Sequence, residues 1–196
     1  MTMEAKKAEL RATIRAALGK ISPAVRAVES LELNERLTAQ MRSARTVLFF
    51  APLPDELDIW PLLEFSLDSG TACALPSFDP ARDIYRARMV NCLATDIVTG
   101  KFGVREPPAS CAEIPLGKID LVLVPGMAFD VLGHRLGRGR GFYDRLLQGI
   151  SSVKCGVGYD FQLREEIPHE AHDAKVDLIL TPARCVNSRR RTDREY

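Results

Sequence analysis

Cys-x-x-Cys and His-Glu-x-x-His are both missing from this sequence, which has three histidines in all, so the usual spacings of a zinc site are absent. The five cysteines, Cys73, Cys92, Cys111, Cys155 and Cys185, are odd in number and widely spaced. That argues for free thiols in a reducing compartment and against a disulfide scaffold. No apolar run approaches membrane-spanning length, and the opening MTMEAKKAELRATIR has no apolar signal core; a cytoplasmic protein without membrane contact is expected. An excess of one charge is also lacking. Lys and Arg number 27 against 26 Asp and Glu, a net +1, so there is no global pull on polyanions and any anion site must be local. With no interleaved exposed aromatics either, little favours a nucleic-acid-binding module. Repeats, low-complexity segments and linkers are absent. At 196 residues, 46% hydrophobic and 27% charged, the chain reads as a single domain over 1–196 with a proper core.

What is present concentrates between Asp120 and Leu147, DLVLVPGMAFDVLGHRLGRGRGFYDRLL. Leu121 to Val124 is a short apolar, β-branched run ended by Pro125-Gly126, the pattern of a buried parallel strand. A loop with Gly133, Gly137, Gly139 and Gly141 follows, and then a helical pattern in which Tyr143, Leu146 and Leu147 share a face. Strand, glycine-rich loop and helix in that order can aim backbone N–H groups and a helix N-terminus at an anion. Arg135, Arg138, Arg140 and Arg145 crowd this stretch, with Asp144 the only acid between the first and last of them. Repelling guanidiniums make sense around a multiply charged anion such as a phosphate chain. Walker A is absent, and the Gly-x-Gly-x-x-Gly fingerprint fails at Phe142. On pattern alone, an anion loop of another kind and a solvated turn are equally open.

Elsewhere, helices and strands alternate. A helix is expected over Met3–Leu18, with Leu10, Ile14 and Ala17 as its apolar stripe and Lys7, Arg11 and Arg15 as a basic one. Ser22-Pro23 starts a second helix that runs to about Met41. Thr46–Phe50 is a buried strand, and Glu56 and Asp58 follow it, where ligands collect in open α/β sheets. A helix from Pro61 to Ser69, a strand from Thr71 to Leu75 stopped by Pro76, and a half-exposed edge strand from Ile84 to Val90 come next. Glu106 sits in a structured turn, GKFGVREPP. Val153–Tyr159 and Asp177–Thr181 are the remaining strands. His169 and His172 are three apart with no zinc-type third ligand nearby, and Asp173 reads by itself as a turn aspartate. Arg189 to Tyr196 is a basic tail without periodicity, read as a frayed terminus. The alternation predicts an α/β fold: three layers around a largely parallel central sheet.

VPGMAFD followed by RLGRGRGFYDRLL resembles the signature of the 5-formyltetrahydrofolate cyclo-ligase (5,10-methenyltetrahydrofolate synthetase) family, VPGxAFDxxGxRLGRGxGYYDRxL, and the likeness extends from Lys7 to Thr181. It implies the same fold class and an ATP-dependent ring closure of 5-formyltetrahydrofolate to 5,10-methenyltetrahydrofolate, with release of ADP and phosphate. The partners it implies are that folate and ATP, with Mg2+ as cofactor and a monomer as the working form. It gives Lys7, Arg11, Arg135, Leu136, Gly137, Arg138, Gly139, Arg140, Gly141, Phe142 and Tyr143 to ATP. Ala51, Glu56 and the loop residues Arg138, Gly139, Arg140, Gly141 and Phe142 go to the folate. Arg138 and Tyr143 carry catalysis, and Asp144 and Asp173 bind the metal. The chain departs from the family where Phe142 replaces a frequent tyrosine and where Arg140 fills a variable position. The competing expectations are a relative without ring-closing activity and a nucleic-acid-binding module built on the basic loop and tail.

Overall fold

The computed structural model describes residues 1–189. Two helices open the chain: α1 (Met3–Leu18), capped by the Thr2 hydroxyl accepting the Ala5 N–H, and α2 (Pro23–Met41), capped by Ser22 with proline at its first position. Then follow β1 (Thr46–Leu48), α3 (Trp60–Asp68), β2 (Ala72–Asp79), β3 (Ile84–Val90), β4 (Val98–Thr99), β5 (Arg105–Glu106) and β6 (Leu121–Pro125). The second half holds β7 (Ala128–Asp130), β8 (Arg135–Leu136), α4 (Phe142–Gln148), β9 (Val153–Val157), β10 (Leu163–Arg164), β11 (Leu178–Leu180) and β12 (Cys185–Asn187).

Seven strands form the central sheet in the order β12-β11-β9-β6-β1-β2-β3. The run from β11 to β2 is parallel, and β12 and β3 close the two edges antiparallel. The expected α/β architecture is therefore present, and Ile84–Val90 is the edge strand that its alternation predicts. Because successive side chains in a strand point to opposite faces, one face sends Val47, Leu123 and Cys155 against Ile14, Leu33 and Leu37 of α1 and α2 and Leu63 of α3. The other sends Leu48, Val122 and Ile179 against Leu146 and Leu147 of α4 and Phe129. Both faces are buried, which is why these strands read as unbroken apolar runs.

Several boundaries differ from expectation. Three strands are shorter than their apolar runs: Thr46–Leu48, Val153–Val157 and Leu178–Leu180. In each case the residues beyond leave the ladder to enter loops. Pro76 does not stop β2, which continues to Asp79 and pairs Pro76 with Ala87. The Ala74 carbonyl faces β1 and accepts the Phe49 N–H. Pro76, two residues on, faces the same side beyond the end of β1, so its missing N–H removes no ladder bond. Of the basic tail, Arg189 donates to Asp177 at 2.7 Å; residues 190–196 lie outside the described residues.

A smaller sheet, β10-β7-β8, lies outside the main one and carries the loop on which the site is built. Its anchor is Phe129. A Cβ added at Gly126 would lie 2.6 Å from the Phe129 ring, and one added at Gly156 would lie 2.7 Å from it. The ring thus rests directly on strand backbone and sets how closely β7 approaches β6 and β9. Gln162 completes the clamp, donating to the carbonyls of Gly126 and Met127 and accepting the Tyr159 N–H. Gly156→Ala should therefore displace Phe129 and lower stability by about 1–3 kcal/mol, the usual penalty of overpacking. Chemical denaturation would show the midpoint falling, and an unchanged midpoint would mean that the ring is free to move.

Candidate active site

A cleft of about 480 Å³ opens beside the ends of β1 and β6. Its walls include Lys7 and Arg11 of α1, residues after β1 from Ala51 to Glu56, the glycine-rich segment from Arg135 to Asp144, and residues from Glu170 to Asp173. All the residues that the sequence nominates line it: Lys7, Arg11, Ala51, Glu56, Arg135, Leu136, Gly137, Arg138, Gly139, Arg140, Gly141, Phe142, Tyr143, Asp144 and Asp173. The carboxyl ends of parallel strands converge here, as the open-sheet rule requires.

The loop's shape follows from its glycines. Gly139 and Gly141 have φ of 101° and 65°, backbone that a side chain rarely tolerates. Arg11 reaches from α1 to the Gly137 carbonyl, with its Nε donating at 3.0 Å, and so holds the loop from outside. The helix that follows, α4, has only seven residues, too short for its terminus to dominate the field. The positive charge of the cleft comes from side chains instead.

Lys7, Arg11, Arg135 and Arg138 are each held by a carboxylate. The Lys7 Nζ donates to Asp173 at 2.7 Å and to Glu170 at 2.8 Å. Burial alone would lower this ammonium's pKa, but the hydrogen bonds and charges of Asp173 and Glu170 outweigh it and carry the pKa above the ordinary lysine value. Burial likewise tends to raise Asp173, and the Lys7 hydrogen bond with the Glu170 N–H overcomes it, leaving the carboxyl below its usual range. Arg135, its side chain only 3% exposed, donates from Nη2 to Asp144 at 2.6 Å, while its buried Nε has no hydrogen-bond partner. Arg138 donates from Nε and Nη2 to Glu56 at 3.2 and 2.9 Å, and from Nη2 to Asp55 at 2.8 Å. Burial pushes the Glu56 carboxyl up, against the pull of Arg138. The Tyr143 phenol is also pushed up, first by burial and then by the Glu56 charge, so it stays protonated and can serve as a donor.

An aromatic wall faces these charges. Tyr85, Phe102 and Phe142 line the cleft and meet edge-on or tilted, with Phe142 5.2 Å from Tyr85 and 5.6 Å from Phe102. The Arg140 guanidinium lies 4.2 Å over the Phe102 ring. Tyr85, Phe102, Asp55 and Glu170 are the cleft or near-cleft residues that sequence reasoning passed over. Phe102 lies in GKFGV and Glu170 between the two histidines, so each was visible as a residue, but only the fold brings them to the loop.

Asp144 and Asp173 share the cleft without forming one compact pair. The ligand atoms nearest Asp173 belong to Glu170 and His172, and Asp144 accepts the N–H of Ala174, the residue after Asp173. The carboxylates of Asp144, Asp173 and Glu170 supply the hard oxygens that Mg2+ takes, so the donor set fits. The two histidines part company. His172 is exposed beside Glu170, whereas His169 stacks on His134 with ring centroids 3.5 Å apart. The Nδ1 of His134 meets Asp130 and that of His169 meets the Ile167 carbonyl. Asp130 also accepts the N–H groups of Leu132 and His134, which shapes the turn that presents Arg135. Asp58 accepts the Trp60 N–H at the start of α3, where the N-cap residue is Ile59 and no side chain caps the helix. Glu106 is buried in its turn, accepting the Phe78 N–H.

The model of the 5-formyltetrahydrofolate cyclo-ligase family matches residues 3–182. The chain is 34% identical to a 5-formyltetrahydrofolate cyclo-ligase of Mycolicibacterium smegmatis over 92% of its own length and 95% of the relative's. It is 32% identical to a protein of that name from Escherichia coli K12, over 72% of this chain and 80% of the other. The NMR structure of 5,10-methenyltetrahydrofolate synthetase from Aquifex aeolicus superposes with a TM-score of 0.85 at 30% identity, covering 93% of each chain.

The ion pair of Asp173 makes a pH-dependent contribution whose sign is fixed. Its carboxyl is depressed in the fold, so the stability it lends is present above the unfolded value, near 3.8, and is lost as pH falls through the lower folded value. Asp173→Asn should cost about 1.5–3 kcal/mol at neutral pH, the size of a charged hydrogen bond. Wild-type and mutant stabilities should approach one another in strong acid. Denaturation midpoints measured from pH 7 downward test this, and a constant offset would show that Asp173 is not the titrating group.

Proposed function

The chain belongs to the 5-formyltetrahydrofolate cyclo-ligase family, and from that premise we propose that this cleft binds ATP and 5-formyltetrahydrofolate and closes the folate to 5,10-methenyltetrahydrofolate, releasing ADP and phosphate. The observation that carries the reading is Arg135: a buried guanidinium with an unpartnered Nε on the wall of a cleft that Lys7, Arg11, Arg138 and Arg140 also line. Desolvating such a donor is unfavourable unless an acceptor arrives, and a phosphate chain is the acceptor that suits several cations at once.

Lys7, Arg135 and Arg138 take the phosphates. Arg11 positions the loop through the Gly137 carbonyl. Leu136, Gly137, Gly139, Arg140, Gly141, Phe142 and Tyr143 line the nucleotide, and the loop from Arg138 to Phe142 also faces the folate. Ala51 and Glu56 flank the folate head group, and the wall of Tyr85, Phe102 and Phe142 offers ring edges and faces to a planar heterocycle. Phe142 has no hydroxyl, so the phenol donor of the loop is Tyr143. Asp144 and Asp173, with Glu170 adjacent, hold Mg2+, which when bound offsets phosphate charge and orients the phosphate oxygens.

The chemical difficulty is that a formamide oxygen leaves poorly. Transfer of the γ-phosphoryl group to that oxygen makes it a phosphate leaving group; N10 then attacks the activated carbon and gives up its proton, and phosphate departs carrying that proton as the methenyl cation forms. No enzyme nucleophile takes part. The protein positions the two substrates, excludes water and stabilises charge as the phosphoryl group passes. Arg138 holds the transferring group with two N–H donors, and Tyr143, kept neutral by burial, adds a hydrogen bond. The reading takes the chain as one domain, a cytoplasmic monomer with no nucleic-acid or membrane partner; among the described residues no helix is long and apolar enough to cross a membrane.

Purified protein should convert 5-formyltetrahydrofolate to the methenyl product only when ATP and Mg2+ are both supplied, as followed by the product's absorbance. Absence of ATP-dependent product across pH and magnesium concentration would leave a relative without ring-closing activity.

Arg138→Lys should reduce turnover roughly ten- to a hundredfold, since a point charge cannot replace a two-pronged donor worth about 1.5–3 kcal/mol. Asp144→Asn and Asp173→Asn should instead move the magnesium dependence of turnover to higher concentration. Wild-type magnesium curves for both would remove these carboxylates from the metal site.

A further inference from the structure

In the free protein the residue given to ATP and the residue given to folate hold one another. Arg138 places Nε and Nη2 on the Glu56 Oε1, at 3.2 and 2.9 Å, and the other Glu56 oxygen accepts the Leu53 N–H at 3.0 Å. The Glu56 side chain is only 14% exposed. Arg138 therefore cannot turn to a phosphate without leaving a carboxylate in a nearly dry pocket with a single N–H donor. Breaking a buried pair in this way is strongly unfavourable, because the charge left behind is uncompensated. The remedy is a replacement donor. The pterin head of the folate has two adjacent donors, a ring N–H and an exocyclic amine, which present to a carboxylate the same two-pronged face as a guanidinium.

We propose that ATP and folate bind with positive coupling through an exchange of partners, in which the folate takes Glu56 and so releases Arg138 to ATP. The proposal rests on the functional reading above for the assignment of Arg138 to ATP and of Glu56 to folate. Asp55 is a positioning residue in the same device. It does not line the cleft, and at 2.8 Å it tethers the Nη2 of Arg138 on the side that Glu56 leaves open. Coupling of this kind is reciprocal, so each substrate must tighten the other by the same factor.

The test is calorimetric titration of the β,γ-imido analogue of ATP, with Mg2+, into wild-type protein with and without saturating 5-formyltetrahydrofolate. The analogue should bind at least about fivefold more tightly with the folate present, and the folate should gain the same factor from the analogue. In Glu56→Gln no charge is stranded when Arg138 departs. The analogue alone should then bind more tightly than to wild type, and the factor should fall to about one. A merely structural defect would weaken analogue binding, so the direction of change separates the two. A factor of one in wild type, or an undiminished factor in Glu56→Gln, overturns the proposal. If Glu56→Gln does not fold, Asp55→Asn decides: removing the tether should tighten binding of the analogue alone, and unchanged affinity counts against the exchange. Ring closure by the same wild-type preparation separates the levels. Activity with a factor of one removes only the coupling, whereas inactivity removes the functional reading and the coupling with it.

Discussion

The ion pair between Arg135 and Asp144 is the contact on which the rest of the cleft depends. It joins the small sheet to the first turn of α4 across the glycine-rich loop, with the arginine side chain almost fully buried. A pair of this kind adds little net stability, because desolvating both charges offsets their attraction. Its consequence is geometric. With Arg135 fixed at one end and Asp144 at the other, the backbone between them must arch, and Gly139 and Gly141 supply the positive φ angles that the arch needs. Gly137 serves a different purpose: a Cβ there would come within 3.0 Å of the Arg135 guanidinium.

The same logic governs the other cations. Lys7 is paired with Asp173 and Glu170, and Arg138 with Glu56 and Asp55. Without ligands the cleft is thus neutralised from within, which is how several positive charges stand close together without unfolding the loop. The near-zero net charge of a protein with a basic loop fits this pairing: Lys7 and Arg138 take acids from distant parts of the chain, and Arg135 takes Asp144 from its own segment. On the proposed reading, binding a polyphosphate becomes an exchange of partners, and specificity resides in which ligand can satisfy both halves of a pair at once.

Behind the loop, packing turns the scaffold into a positioning device. Phe129 rests on bare strand backbone at Gly126 and Gly156, Gln162 ties the start of β7 to the end of β9, and Asp130 orders the turn before Arg135. The stacked rings of His134 and His169 fasten the segment leading to Asp173 against that turn. Apart from Gly126, none of these groups lines the cleft, yet together they fix where its charges stand. Precision of that kind comes from supporting contacts more than from the charged residues themselves.

The sequence alone determined the layered α/β architecture, because runs such as Leu121–Val124 can be buried on both faces only in a covered parallel sheet. It also singled out the loop: the crowd of glycines and arginines left an anion loop and a solvated turn equally open, and the likeness of that stretch to a known signature named its chemistry. Local signals placed the start of the second helix at Ser22. They failed at Pro76, since whether a proline interrupts a strand depends on what lies beside it, and β1 ends before reaching it. Tertiary structure alone decided which acid pairs with which base. Lys7 with Asp173 and Arg138 with Glu56 are separated by most of the chain or by much of it, and no periodicity links such positions. The same holds for Asp55, Tyr85, Phe102 and Glu170, whose residue types are ordinary until strand ends and loops bring them together. Charge partners are set by distance through space, and that distance exists only after the sheet has fixed its strand order.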